Sequence, residues 1–181
     1  MKLEPARHFA ELIKGILSPF CEKIEIAGSI RRLRPNVNDI DFVVLPKYGQ
    51  TLALRERCKA RCRVVKDGEQ NYIVAMPISA AQREQLDHSG WDVQIDIFIA
   101  HPGKCDLLQT VPSNFGSLLV CRTGSTAHNI WLVEQAKKNY MTWNPYVGVT
   151  DPEGYVIAGE TEQDIFRACD VPFIEPEKRE R

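Results

Sequence analysis

The sequence has no C-x-x-C pair, no spaced histidine motif, no long apolar run and almost no net charge, and each shortage removes a class of protein. The six cysteines (Cys21, Cys58, Cys62, Cys105, Cys121 and Cys169) are scattered, and without an exporting context they read as reduced thiols. Cys58 and Cys62 could share a helical face and bind a metal, but no neighbouring pair completes a four-ligand zinc site. The longest apolar stretches, near Phe42 to Leu45 and Ile95 to Ala100, are far too short to span a bilayer. Met1-Lys2-Leu3-Glu4 runs into an amphipathic stretch that lacks the apolar core and small-residue cleavage site of a secretory signal. The expectation is a soluble, cytoplasmic or otherwise intracellular protein with no membrane partner.

A net charge of -1 gives no global reason to expect nucleic-acid binding, yet the halves differ. Residues 1–65 carry 13 Lys/Arg against 7 Asp/Glu, and residues 66–181 carry 10 against 17. The basic half could meet phosphates, or the two halves could simply present oppositely charged, solvated surfaces. Internal repeats, low-complexity segments and heptad seams are all missing, which makes a monomer the default.

Apolar periodicity lays out the elements. Phe9, Leu12, Ile13, Ile16 and Leu17 recur at helical spacing, predicting an amphipathic helix that ends near Ser18-Pro19. A short strand from Lys23 to Ala27 runs into Gly28-Ser29 and a basic turn, and a second strand spans Asp39 to Leu45. Thr51 to Ala60 reads as helix; Asp67-Gly68 predicts a hairpin between Arg63 to Val65 and Tyr72 to Met76. Asp92 to Ile99 alternates, with Val93, Ile95, Ile97 and Ile99 on the core face and Asp92, Gln94, Asp96 and Phe98 on the other. Beyond His101-Pro102-Gly103 the pattern turns helical, around Asn114 to Val120 and from Ser125 to Asn139. Short extended pieces follow, then a helix from Thr161 to Ala168 capped by the Thr161 hydroxyl, and a charged tail after Pro176 expected to fray. Trp91, Trp131 and Trp143 read as packing residues. The basic run Arg55, Arg57, Lys59, Arg61 and Arg63 reads either as a solvated face or as a track for a DNA backbone.

Phosphoryl transfer asks a protein for divalent ions held close together and a clamp on the triphosphate. Asp39 and Asp41, one residue apart on a strand, leave the same face, which suits bridging a pair of hard cations. Asp96, off the core face of another strand, is the candidate third ligand and could take the proton from an attacking hydroxyl. Gly28-Ser29 with Arg31 and Arg32 could gather backbone N–H groups, a hydroxyl and guanidinium groups on phosphate. Each feature alone is weak, because alternating acidic residues often mark nothing but a wet sheet face.

Their order and spacing resemble the palm domain of family X DNA polymerases, the group containing DNA polymerase beta and terminal transferase, within the nucleotidyltransferase superfamily. A second block extends the resemblance over nearly the whole chain: Thr123-Gly124-Ser125, Asn129, Asn144-x-Tyr146, Ile157-Ala158-Gly159-Glu160-Thr161-Glu162 and Pro176-Glu177-x-Arg179-Glu180. The resemblance implies a minimal member of α+β class with α/β-type layers. It would comprise a nucleotidyltransferase palm over 1–105, with a mixed or antiparallel sheet flanked by helices, and a small α+β C-terminal, nucleotide-selecting, thumb-like domain over 106–181. It makes Asp39 and Asp41 ligands of two Mg2+ ions, with Mn2+ a possible substitute, and Asp96 a ligand of the catalytic ion. Gly28, Ser29 and Arg32 would hold the triphosphate; Thr123, Gly124 and Ser125, preceded by Cys121 and Arg122, would lie beside the sugar; Asn129 would reach the base edge.

The chain also departs from the family pattern. Gln94 stands two residues before Asp96, where an arginine is usual, which bears on how Asp96 or the primer end is positioned. Cys121-Arg122 replaces the usual Tyr-Phe or Gly-Trp beside the sugar, and Ile130 and Val133 stand where basic side chains would touch a template strand. No counterpart of the lyase and fingers domains precedes Leu3, so basic residues of the first half would have to compensate in gripping DNA. The leading expectation is a polymerase that uses a nucleoside triphosphate and a DNA primer or gapped duplex for short-gap DNA repair. The alternatives are a template-independent nucleotidyltransferase acting on a nucleic-acid end or small acceptor, and a non-catalytic module that binds nucleotide or a partner.

Overall fold

The computed structural model describes residues 1–105 and 110–180. The chain divides into two compact units, Met1–Ile99 and Ala100–Arg181. The division thus falls at the end of a strand, whereas the sequence-based limit at 105/106 abuts residues 106–109, which lie outside the described residues.

In the first unit, helix α1 (Leu3–Leu17) buries Ala6, Phe9, Ala10, Ile13 and Leu17. Leu12 lies just off that face and is exposed, so the predicted stripe is narrower than its sequence spacing implied. Five strands follow: β1 (Cys21–Ile26), β2 (Ile40–Pro46), β3 (Arg63–Asp67), β4 (Asn71–Pro77) and β5 (Asp92–Ile99). They form a mixed sheet in the order β1-β2-β5-β4-β3, with β2 and β5 parallel and every other pair antiparallel. Phe42, Val44, Val93, Ile95 and Ile97 carry the core of this unit. Phe98, placed with the polar face by alternation, is nevertheless buried, so the far side of β5 is covered toward its end.

Helices α2 (Gly28–Arg31), α3 (Thr51–Lys59) and α4 (Ala80–Gln85) complete the unit. Apolar periodicity could not find α4, which buries none of its residues. Its signal is a capping box: Ser79 Oγ accepts from the Gln82 N–H at 3.3 Å, and Gln82 Oε1 accepts from the Ser79 N–H at 2.9 Å. The β3–β4 hairpin forms as expected, and α3 reaches over its turn. Arg55 pairs with Asp67 and donates to the Gly68 and Glu69 carbonyls at 2.7 and 3.0 Å. Lys59 meets Glu56 and Asp67, and Arg63 meets Asp92 at 3.4 Å. Much of the basic run therefore fastens the sheet edge. Trp91 corrects another expectation: it is 60% exposed, with the Arg83 guanidinium 4.4 Å from its ring centroid.

In the second unit, β6 (Lys104–Cys105) pairs with β7 (Thr110–Val111), ahead of α5 (Phe115–Thr123) and α6 (Thr126–Lys138). A three-stranded sheet follows in the order β10-β9-β8, from β8 (Thr142–Asn144), β9 (Gly148–Thr150) and β10 (Val156–Ala158). The last helix is α7 (Glu162–Ala168), whose cap is the Thr161 hydroxyl, accepting from the Asp164 N–H at 3.1 Å. Val120, Leu132, Trp143, Val149, Ile165 and Phe166 form the core, and Trp143 Nε1 donates to Ser117 Oγ at 2.9 Å. Each unit thus has its own core, and the α+β class with a mixed sheet holds. Among the described residues, no helix is long and apolar enough to cross a membrane.

The C-terminal segment is the clearest correction, because it is pinned where fraying was expected. Arg179 is fully buried: Nη1 pairs with Glu162 at 2.7 Å, Nε donates to the Ile174 carbonyl at 2.8 Å, and the guanidinium lies near the rings of Phe166 and Phe173. A charged run has no visible anchor in its own composition. The anchor is Glu162, at the start of α7.

Burial pushes the Cys58 thiol up to about 12, with Cys62 and Cys21 adding to the rise, and the Cys169 thiol up to about 11. A raised folded-state value stabilises the fold fully below the unfolded value, near 9, and that contribution is lost as pH climbs toward the folded value. The thermal midpoint should therefore fall as pH rises above about 9. Iodoacetamide at about pH 8 should alkylate exposed Cys105 and spare Cys58 and Cys169 until unfolding, as mass spectrometry would show. Labelling of Cys58 in the folded protein at the rate of Cys105 would contradict its burial.

Candidate active site

The site in the first unit is built where β1 ends against β2. The Ala27 N–H donates to the Asp41 carbonyl at 2.8 Å, and the chain then turns sharply at Gly28, whose φ is +59°. Glycine is required there twice over. It adopts the left-handed conformation without a Cβ penalty, and a Cβ would lie 1.9 Å from Asp41 Oδ2 and 2.8 Å from Asp41 Cγ. The backbone of Gly28 therefore packs directly on the Asp41 carboxylate.

Asp39 precedes β2 and Asp41 is its second residue. The parallel register sets Ile40 beside Ile95 and Asp41 beside Asp96, so the third carboxylate arrives on the adjacent strand. One carboxylate oxygen from each of Asp39, Asp41 and Asp96 lies within 4.8 Å of the others, and all three residues are half-buried. Among the described residues, no other group of three His, Cys, Asp or Glu side chains meets in this way, the Cys58 and Cys62 pair included. Three like charges so close repel one another, and a divalent cation with oxygen ligands offsets that repulsion. The donor set fits such a cation: all hard oxygens, one from just before β2, one from β2 itself and one from the neighbouring β5.

Around the triad, Gln94 Nε2 donates to Asp96 Oδ1 at 2.8 Å. Ser29 Oγ is buried without a hydrogen-bond partner, which suits a group waiting for an acceptor or donor from outside the chain. Arg32 follows α2 as its C-cap, with its N–H on the Gly28 carbonyl at 3.3 Å. Gly28 and Ser29 open the short helix α2 and Arg32 caps it, Asp39 and Asp41 flank the first residue of β2, and Asp96 lies midway along β5.

The residues singled out at 121–129 form a separate cluster in the second unit, where α5 hands over to α6. Gly124, at φ +72°, ends α5 with its N–H on the Val120 carbonyl at 3.1 Å. Ser125 caps α6, accepting from the His128 N–H at 3.3 Å, and its hydroxyl donates to the Arg179 carbonyl at 2.8 Å. Asn129 Nδ2 donates to the Cys121 carbonyl at 2.8 Å, while its Oδ1 is buried without a hydrogen-bond partner. Arg122 donates to the Tyr146 hydroxyl at 2.5 Å, and its guanidinium lies 5.7 Å from that ring. Thr123 is fully buried. The sequence already ties Gln94 to the positioning of Asp96, and the i, i+2 spacing on β5 is what lets the amide reach the carboxylate. Sequence reasoning did not foresee that the chain end would be fastened to Ser125.

Residues 118–180 match the family described as DNA polymerase beta thumb. No curated protein matches the chain. The match supports a relationship of this part of the chain to DNA polymerase beta-like, family X enzymes, and with it a DNA polymerase-like or DNA-binding role.

Proposed function

We propose, from the thumb match over residues 118–180 and the three converging carboxylates, that the chain is a family X-type nucleotidyltransferase. In this reading residues 1–105 are its palm and 106–181 its nucleotide-selecting domain. The reaction is in-line attack of a 3′-hydroxyl on the α-phosphate of a nucleoside triphosphate, with release of pyrophosphate, in short-gap DNA repair synthesis. The observation that carries the proposal is the parallel pairing of Asp41 with Asp96, which closes the triad with Asp39.

Asp39, Asp41 and Asp96 would hold Mg2+, or Mn2+ in its place. Bound there, two such cations would activate the attacking hydroxyl and neutralise charge developing on the phosphates. Asp96 also stands as the acceptor of the hydroxyl proton. Ser29, through its buried hydroxyl, and Arg32, through its guanidinium, would orient the triphosphate, and Gly28 lets the backbone approach. Thr123, Gly124 and Ser125 would lie beside the sugar and Asn129 beside the base, with Oδ1 as the acceptor while Nδ2 keeps the Cys121 carbonyl.

Primer extension on a duplex with a one-nucleotide gap, offering each dNTP and rNTP separately with Mg2+, tests the proposal. The expected result is selective insertion of the complementary nucleotide, lost in Asp41→Ala by about a thousandfold. A second reading, untemplated addition to a nucleic-acid end, draws support from α6, where Ile130 is exposed and Val133 half-buried with no basic group at either position. Extension of single-stranded primers regardless of base would favour it. Nucleotide binding indifferent to Mg2+ and unaffected by Asp41→Ala would overturn both.

A further inference from the structure

We infer that Trp91 and Arg83 form a platform for one nucleotide of an unpaired DNA strand, with the base on the indole and its phosphate on the guanidinium. This surface lies outside the triad of Asp39, Asp41 and Asp96 and does not depend on a cation there. Trp91 is 60% exposed, and the Arg83 guanidinium carbon lies 4.4 Å from its ring centroid. With the guanidinium over one face, that exposure leaves the opposite face of the indole open to solvent. An open aromatic face stacks on a base of any kind, because every base has a π-face. Among the described residues Arg83 makes no ion pair and no side-chain hydrogen bond, so its N–H donors remain for a phosphate.

The local fold holds the pair ready. Helix α4 buries none of its residues, so core packing does not account for it; its capping box fixes the helix that carries Arg83. On the other side, the Trp91 carbonyl accepts from the Ile78 N–H at 2.9 Å, and the His88 N–H donates to the Arg83 carbonyl at 3.0 Å. His88 Nε2 lies 2.9 Å from the Asp92 carbonyl, and a Cβ on Gly90 would come within 2.9 Å of the same nitrogen. The segment between Arg83 and Trp91 is thus ordered before a ligand arrives, which lowers the entropy cost of binding. The pair borders an open cleft of about 550 Å³ shared with Glu84, Asp87 and His88, and Asp87 meets Lys2 at 3.9 Å. The two carboxylates repel a phosphate, which confines it to the Arg83 side, and they are acceptors for the exocyclic amino group of cytosine. DNA is the polyanion to expect, given the match of residues 118–180 to a DNA polymerase thumb.

The experiment follows the fluorescence anisotropy of a short dye-labelled oligo-dC strand titrated with the full chain, with EDTA present so that no divalent cation takes part. Wild type, Trp91→Ala, Trp91→Phe and Arg83→Gln are compared, with melting curves confirming that each is folded. Trp91→Ala should weaken binding by about tenfold, and Trp91→Phe should keep most of what Trp91→Ala loses. Arg83→Gln should weaken binding and lower the slope of log affinity against log salt by about 0.7, the share of one phosphate contact on a single strand. An abasic strand of the same length should bind wild type no better than oligo-dC binds Trp91→Ala. Wild-type affinity in Trp91→Ala, or equal binding of the abasic and oligo-dC strands by wild type, would overturn the stacking role. An unchanged salt slope in Arg83→Gln would overturn the phosphate contact. Wild type that binds neither strand would overturn the platform as a whole. Without a divalent cation none of these results depends on the carboxylate triad, and a failure of gap filling with Mg2+ would leave them standing.

Discussion

If the chain carries out the nucleotidyl transfer proposed for it, Gly28→Ala is expected to fold and yet to lose that activity by about 10²- to 10³-fold. The residue sits at φ +59°, where a Cβ costs about 1–2 kcal/mol, enough to lower the melting temperature but not to unfold the chain. The larger effect comes from where that Cβ would go. It would lie 1.9 Å from Asp41 Oδ2, 2.8 Å from Cγ and 3.2 Å from Cβ. The crowded atoms are mainly the outer part of one side chain, so the protein can relieve the clash by swinging the Asp41 carboxylate away. That movement is modest in stability terms and takes the carboxylate out of the triad, and a displacement of about 1 Å at a reacting centre can cost about a hundredfold. Gly28→Ala should therefore lose Mn2+ affinity together with activity. In an Asp41→Ala background the same change should cost much less activity, because the carboxylate it displaces is gone and only the approach of the Gly28 backbone to the triphosphate is left to disturb. A Gly28→Ala protein that retained full activity would mean that Asp41 does not need the position it holds.

The second large effect concerns stability. Arg179→Ala should destabilise the unit Ala100–Arg181 by about 3–5 kcal/mol, since it leaves the Glu162 carboxylate, 6% exposed, inside the fold without its guanidinium. At roughly 4–8 °C per kcal/mol for a unit of this size, the melting temperature should fall by more than about 10 °C. The change also removes the guanidinium from beside Phe166 and Phe173 and loosens the segment whose carbonyl accepts from the Ser125 N–H and hydroxyl. The double variant Glu162→Gln with Arg179→Met should recover much of the loss, because no charge is then left buried alone. Thermal melts followed by circular dichroism would measure both. Equal losses in the single and double variants would show that the ion pair is not what holds the chain end.

Much of this was legible in the sequence, and the residues show why. The alternation of Val93, Ile95, Ile97 and Ile99 was enough to orient Asp96 away from the core, since strand geometry allows no other arrangement of neighbours. The same rule put Asp39 and Asp41 on one side. The Asp67-Gly68 turn announced its hairpin, and the Thr161 hydroxyl its helix, because turns and caps are made by residues close in the chain.

The sequence by itself determined the local half of the protein: which segments become helix or strand, which face of each is apolar, and which side chains share a face. Tertiary structure decided the rest, because it depends on partners distant in the chain. It set β5 parallel to β2 so that Asp96 stands beside Asp41, and closed Gly28 onto that carboxylate. It spent Arg55, Lys59 and Arg63 on ion pairs, left Trp91 exposed, and tied Arg179 to Glu162 and Ser125. Propensity and periodicity act over one turn or one pleat. Register between strands and the anchoring of a chain end are chosen by the energy of contacts that no local window contains.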